Sequence, residues 1–286
     1  TITAAASVAP DQPEVAAAAA PHSVDVVYFH RTGTSGRMPT ASEIAGPLNR
    51  LGEFWRDNSG GQVSAVTVNG SIRIRTVNWD VCDQYRAWAE GAAIFGRGEA
   101  DYWWGDTRRH LIVFVPASEC GSGGLGTVGS GPASGGEIWT VIDTAASPEY
   151  WDGTLFHEFG HNLSLSHSNT RECVPPHVDS GTGVTADGWG RLTNPACSDS
   201  EYFDLYDVMG MGYTWSGSGG VVSNRLNIAE VNVAHKAQLG ALGSDLRNVT
   251  VSSGYEQTLT VNAAASGAGV RGLRITDPSN GEHLYV

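Results

Sequence analysis

Apolar positions recur along the chain with two different periods. Val24 to Phe29 is a run of β-branched and aromatic residues and predicts a first strand. From Ser42 to about Asn58, Ile44, Leu48, Leu51, Phe54 and Trp55 fall at helical spacing. Pro47 sits early, where a helix tolerates it, and Gly60-Gly61 ends the segment. Val63 to Val77 is rich in β-branched residues and predicts one bent strand or two. Gln84 to Phe95 predicts a second, shorter helix. His110 to Val115 is continuously apolar after its first residue, as suits a central strand buried on both faces. Strands and helices that alternate in this way predict an α/β core.

Residues 121–136 are glycine-rich and lack the G-K-[ST] ending of a phosphate-cradling loop, so they read as a flexible surface loop. Glu137 to Ile142 follows as a strand. Ser147-Pro148 offers an N-cap and a proline at the first helical position. The helix it opens carries Leu155, Phe156, Phe159 and Leu163 on an apolar face, which leaves His157, Glu158 and His161 on another. After His167 little regular pattern is visible until about Leu226. Asn227 to Leu242 reads as the last helix, with Asn227 and Glu230 in capping-box spacing and Gly243 past its end. Short β runs then appear at 248–251, 257–261, 273–275 and 283–286. The expected organisation is an Ala/Pro-rich linker or pro-segment remnant over 1–22, one folded domain over 23–243, and a truncated β-rich segment over 244–286.

Charge narrows the partners. A net charge of −13 argues against nucleic acid and anionic membrane surfaces, which select basic patches. No run of about 18 apolar residues predicts membrane insertion. The four cysteines, Cys82, Cys120, Cys173 and Cys197, suit two disulfides in an oxidising compartment, hence a secreted protein. Three pairings are open. Cys82–Cys120 with Cys173–Cys197 is preferred, because each then closes a loop within one half of the fold. Asn69-Gly-Ser and Asn248-Val-Thr are glycosylation-type triplets, which are common by chance.

The chemistry concentrates in His157-Glu158-Phe159-Gly160-His161, followed six residues later by His167. Residues i and i+4 of a helix lie on one face, so His157 and His161 can aim two imidazole nitrogens at one point. A divalent zinc ion accepts such nitrogens at about 2.0–2.1 Å and prefers four ligands. The helix must end near Leu163 for the chain to turn back and bring His167 to the same point. Glu158, one step round the helix, is placed to touch the water that fills the fourth position and to act as its general base. With nine histidines and fourteen glutamates, H-E-x-x-H arises by chance about once in 70 such chains, and with the third histidine about once in 2000, so the cluster is not an accident of composition. Other divalent transition metals suit three imidazoles as well. His177 reads as a surface histidine, a ligand only if His167 is not.

The stretch resembles the extended zinc motif of the metzincin metalloproteases, H-E-x-x-H-x-x-G-x-x-H. Ser164 stands where that pattern has glycine. The turn there calls for a positive φ, which costs a serine roughly 1–2 kcal/mol. Glu201 to Gly210, with its Asp-Val-Met-Gly, is similar to the methionine turn of that group. Together with His161-Asn162-Leu163 it resembles the gametolysin family, over about residues 23–243. Met209 is the turn methionine by this resemblance, with Met211 as the alternative, and Tyr213 is a candidate oxyanion helper. The fold implied is a twisted, mostly parallel sheet with an antiparallel edge strand, identified with residues 137–142, lining a cleft rimmed by the glycine-rich loop. The activity implied is secreted zinc endopeptidase action on a protein or peptide, with a cell-wall or matrix glycoprotein as candidate substrate. Calcium sites are not readable from the sequence. Two other readings stand beside this one. A second H-E-x-x-H zinc hydrolase class would need a different third ligand. A non-catalytic wall- or matrix-binding module would have no need of Glu158.

Overall fold

The computed structural model describes residues 19–34, 37–142, 149–173, 185–186, 192–193, 197–204, 206–210, 214–216, 220–222, 228–250, 258–264, 269–276, 278, 281 and 283–286. The elements run β1 (Ala20–Arg31), α1 (Ala41–Asn58), β2 (Val63–Val68), β3 (Arg73–Val77), α2 (Gln84–Ile94), α3 (Ala100–Trp103), β4 (Arg109–Pro116), α4 (Ala117–Cys120), β5 (Gly124–Gly126), β6 (Gly136–Ile142) and α5 (Glu149–Asn162). Short ribbons follow: β7 (Thr170–Cys173), β8 (Thr185–Ala186), β9 (Leu192–Thr193), β10 (Cys197–Ser200), β11 (Thr214–Ser216) and β12 (Gly220–Val222). Helix α6 (Val233–Gln238) precedes β13 (Leu246–Thr250), β14 (Gly272–Thr276) and β15 (His283–Tyr285).

Six strands form one sheet in the order β2-β1-β4-β6-β5, with β3 taking over from β2 along the second half of β1. Every pairing in it is parallel except β5 against β6. This is a mixed α/β chain with a mostly parallel sheet. The apolar run at 110–115 becomes β4, buried from His110 through Pro116. Its alternate side chains face opposite layers. On one face, Phe159 of α5 meets His110 of β4 (ring centroids 4.4 Å) and Trp55 of α1 (6.1 Å). On the other, a Cβ placed on Gly91 of α2 would lie 3.2–3.3 Å from Val113, Leu111 and Val27, so that helix needs glycine to approach the sheet.

Helix α1 begins with a capping box. Thr40 accepts from the Glu43 N–H, and the Glu43 carboxylate accepts from the Thr40 N–H. Its stripe of Ile44, Leu48, Leu51 and Trp55 is fully or almost fully buried, worth about 1.5–3 kcal/mol per side chain. The buried Asp152 carboxylate of α5 accepts from Arg50 of α1 and ties the two helices together.

Several expectations change. The antiparallel edge is not formed by 137–142. Those residues become β6, inside the sheet, and the edge is β5, within the glycine-rich segment read as a flexible loop. Glycine there serves close approach. A Cβ on Gly136 would lie 2.3 Å from the Asn162 side chain, and one on Gly129 would lie 2.0 Å from the Asn162 carbonyl oxygen. Strand β1 begins at Ala20, inside the segment read as a linker. The last helix is shorter than 227–242. Asn232 caps it by accepting from the His235 N–H, and the Glu230 carbonyl before it accepts from the Val208 N–H of the 207–210 turn. Asn227 and Ser147-Pro148 lie outside the described residues. In the tail, Leu259 and Val261 form no strand but pack on the small core of Val249, Leu273 and Ile275. Cys82 and Cys120 form a disulfide. The register of β7 and β10 sets Cys173 directly opposite Cys197.

A buried relay ties α5 to the sheet. Asn162 Nδ2 donates to the Thr127 carbonyl (2.7 Å), so its Oδ1 must accept from His110 Nδ1–H (2.9 Å). His110 Nε2 is then the acceptor for His22 Nδ1–H (2.8 Å). Burial holds both imidazoles below the ordinary 6.5, His22 to about 3, with His110 beside it adding to the effect, and His110 to about 4. Between pH 6.5 and about 4 these two groups therefore bind more protons in the unfolded chain than in the folded one, and their contribution to stability rises with pH. Urea unfolding of chelator-treated protein should show a progressive loss of stability from pH 6.5 toward pH 4. A flat profile between pH 7 and 5 would contradict the relay.

Candidate metal centre

Helix α5 sets His157 and His161 one turn apart, with ring centroids 4.8 Å from each other. It ends at Asn162 in a Schellman turn. The Ser164 N–H donates to the His161 carbonyl (2.9 Å) and the Leu165 N–H to the Gly160 carbonyl (3.0 Å). Ser164 has φ 80°, the left-handed conformation expected where glycine would be easier. Gln238 of α6 braces this turn by donating to the Ser164 carbonyl (2.8 Å). Leu165 is fully buried, and the chain returns so that His167 faces the helix.

Each imidazole is oriented through its Nδ1. His157 Nδ1–H donates to the Val208 carbonyl (3.0 Å), His161 Nδ1–H to the Leu165 carbonyl (2.8 Å), and His167 Nδ1–H to the Glu201 carboxylate (2.7 Å). A carbonyl can only accept, so the first two tautomers are fixed and each Nε2 carries a lone pair. Ligand atoms of the three rings lie within 4.8 Å of one another, and the Nε2 atoms of His161 and His167 are 3.1 Å apart. Two nitrogens at 2.0–2.1 Å on a tetrahedral zinc are about 3.3 Å apart. Two lone pairs brought this close repel unless a metal ion, or a proton on His167 Nε2, lies between them. Three neutral imidazoles are also a donor set that divalent transition metals favour. The residues present therefore fit such an ion. Burial, chiefly, holds His157 and His161 down to about 4, which keeps both neutral at physiological pH.

The carbonyl that orients His157 belongs to a tightly braced turn at 207–210. Asp207, fully buried, accepts from the Met209 N–H (2.6 Å), the Asn232 N–H (2.7 Å) and His235 Nδ1–H (3.0 Å). The Val208 N–H donates to the Glu230 carbonyl (2.9 Å). Met209 is fully buried beneath α5, and a Cβ on Gly160 would lie 2.4 Å from its sulfur. Asp204 accepts from the Ser168 hydroxyl (2.9 Å) and Asn232 Nδ2 (3.0 Å), which joins the stretch after His167 to the cap of α6. Met211, Tyr213 and His177 lie outside the described residues, so no position is given for them.

Glu158 lies in a cleft of about 280 Å³, lined also by Gly123, Gly124, Thr154, His157 and Tyr202. Burial pushes its carboxyl up to about 8, and a hydrogen bond from the Gly126 N–H works against the rise. β5 presses on it so closely that a Cβ on Gly124 would lie 2.7 Å from its carboxylate. Glu201, Tyr202 and Asp207 are the contributors that the sequence reading missed. Two aspartates three residues apart just before a methionine were the available signal for Asp207. Glu201 and Tyr202 carried none.

No family model matches the chain, and no curated protein does. Among solved structures it is similar to OgpA from Akkermansia muciniphila, at 16% identity over 81% of this chain and 62% of that one, with a TM-score of 0.40. It is similar to myroilysin at 13% identity over 77% and 90%, TM-score 0.30. It is also similar to high choriolytic enzyme 1, a hatching enzyme zinc-protease from Oryzias latipes, at 12% over 76% and 88%, TM-score 0.27. The chain spans about 60% of the length of OgpA. Likeness this distant passes no property of those proteins to this chain.

Two substitutions probe the scaffold. Ser164→Gly relieves the left-handed strain and loosens the unfolded chain, for a net gain of about 0.5–1 kcal/mol in urea denaturation with metal content unchanged. Asp207→Ala leaves buried donors without an acceptor. It should cost at least about 3 kcal/mol and weaken metal affinity about 10–100-fold in competition with a chromophoric chelator. A stable, tight-binding Asp207→Ala would show that the brace is dispensable.

Proposed function

We propose that the chain is a secreted zinc endopeptidase in which His157, His161 and His167 hold the ion and Glu158 is the general base. The observation that carries this is the convergence of three oriented imidazoles, one of which, His157, lines a cleft together with the buried carboxylate of Glu158. The metzincin resemblance of the same residues points the same way. When bound, zinc supplies a Lewis acid that polarises a peptide carbonyl and acidifies a water. The chain's own residues do the rest. The three imidazoles, neutral themselves, leave the ion its full charge. Glu158 sits where it can take a proton from the attacking water and return it to the leaving amine. A dication beside it favours the ionised carboxylate and so offsets the rise that burial alone produces.

The cleft also supports a peptide substrate. β5 ends the sheet along its rim, and a sheet edge offers hydrogen bonds to any extended main chain while leaving selectivity to side-chain pockets. The Cys82–Cys120 disulfide and the facing positions of Cys173 and Cys197 support an oxidising compartment. We read Met209 as the turn methionine. A cell-wall or matrix glycoprotein remains the candidate substrate, by resemblance alone. Glu158, buried in the cleft at the cost of an unfavourable carboxyl environment, favours an enzyme over a non-catalytic binding module.

Glu158→Gln should keep one zinc per chain and lose about 10²–10⁴-fold of casein hydrolysis. A chelator should abolish wild-type cleavage and added zinc restore it. Zinc-loaded wild type that leaves casein and unfolded peptides intact would contradict the reading.

A further inference from the structure

Tyr202 stands at the third position of the Ser200–Phe203 turn, where a left-handed residue is required. Its φ of 65° puts a bulky side chain on a left-handed backbone, at a cost of roughly 1–2 kcal/mol that glycine would avoid. The strain is held in place locally. The Tyr202 N–H donates to Asn169 Oδ1 (3.1 Å), and the Phe203 N–H to the Ser200 carbonyl (3.4 Å). A Cβ on Gly210 would lie 3.1 Å from the Tyr202 carbonyl oxygen, so the backbone here is packed on the 207–210 turn. Its neighbours Phe203 and Tyr206 are 56% and 83% exposed, whereas Tyr202 is half-buried and turned into the cleft.

The ring of Tyr202 packs beside two of the candidate ligands. Its centroid is 3.9 Å from that of His167, at 37°, and 5.8 Å from that of His157, at 31°. The cleft that holds Glu158 and His157 is lined by Tyr202 as well. A carbonyl placed in that cleft would thus have the Glu158 carboxylate and a phenol among its walls. A phenol ordinarily keeps its proton to about pH 10 and can donate it in a hydrogen bond. The turn fixes the backbone from which this side chain projects, and a donor held in place before reaction is what developing charge on a carbonyl oxygen uses best.

We propose that Tyr202 is a catalytic residue, its hydroxyl donating a hydrogen bond to the carbonyl oxygen of the scissile peptide as negative charge develops there. This rests on the zinc endopeptidase reading above. It gives Tyr202 the role that the metzincin resemblance implied for Tyr213. Packing of the ring on His167 is the competing account, and Tyr202→Phe separates the two because it removes the hydroxyl and keeps the ring.

Tyr202→Phe should bind one zinc per chain and lower kcat about 100-fold while KM stays within about threefold. Calorimetry supplies a second readout without turnover. A phosphinic peptide, which mimics the tetrahedral oxyanion, should bind the variant about 100-fold more weakly, and the cleavage product should bind both proteins alike. Wild-type kcat and phosphinate affinity in Tyr202→Phe would overturn the proposal. Loss of zinc in the variant would overturn it too, by assigning the hydroxyl to holding the triad. A zinc-loaded wild type that cleaves no peptide would bring down the protease reading and this role with it. That outcome is distinct from an active wild type matched by an active variant, which removes only the role of Tyr202.

Discussion

Three imidazole lone pairs aimed at one point repel one another, and the surrounding structure is arranged to hold them there. The 3.1 Å approach of His161 and His167 Nε2 is tolerable only if each ring is prevented from turning away. The restraint comes from the opposite nitrogen. Each Nδ1 is committed to an acceptor, and two of the acceptors are themselves fixed: Leu165 by the turn that ends α5 and Val208 by the Asp207 brace. A cation between the rings would convert that repulsion into binding energy, which is why the scaffold and the candidate metal centre cannot be described separately.

The packing follows from the same demand. α5 is clamped from three sides: Met209 against Gly160, the glycine-rich segment against Glu158 and Asn162, and Phe159 against the His22–His110 pair and Trp55. Glycine at 124, 129, 136 and 160 marks the closest approaches, where a Cβ would fall 2.0–2.7 Å from a neighbouring atom. A helix held this way presents His157, Glu158 and His161 at fixed angles without relying on its own marginal stability. The buried carboxyl of Glu158 and the left-handed backbones of Ser164 and Tyr202 are local costs carried by that rigid surround.

Much of this was legible in the residues. Helical spacing placed His157 and His161 together, the distance to His167 required the helix to end near Leu163, and the serine at 164 already called for a positive φ. The continuous apolar run gave β4, and the alternation of elements gave the α/β core. What failed has physical reasons. The glycine-rich segment read as flexible because close approach and flexibility leave the same mark on a sequence. The edge was assigned to 137–142 by resemblance, and the pattern of those residues could not correct it because periodicity cannot tell an edge strand from its neighbour. Asn227 looked like a cap because spacing alone cannot show that the Glu230 carbonyl is taken by the Val208 N–H. Glu201 and Tyr202 escaped notice because one is largely exposed and the other sits in a turn, where no hydrophobic period runs.

The account depends most on the identity of the third ligand, which helix periodicity cannot supply. X-ray absorption on the zinc-loaded protein reads it directly. Three imidazole nitrogens and one further light atom at about 2.0–2.1 Å are the result expected of His157, His161 and His167. Two imidazoles with a carboxylate or sulfur completing the shell would place His167 outside the centre and contradict the arrangement from which the rest is argued.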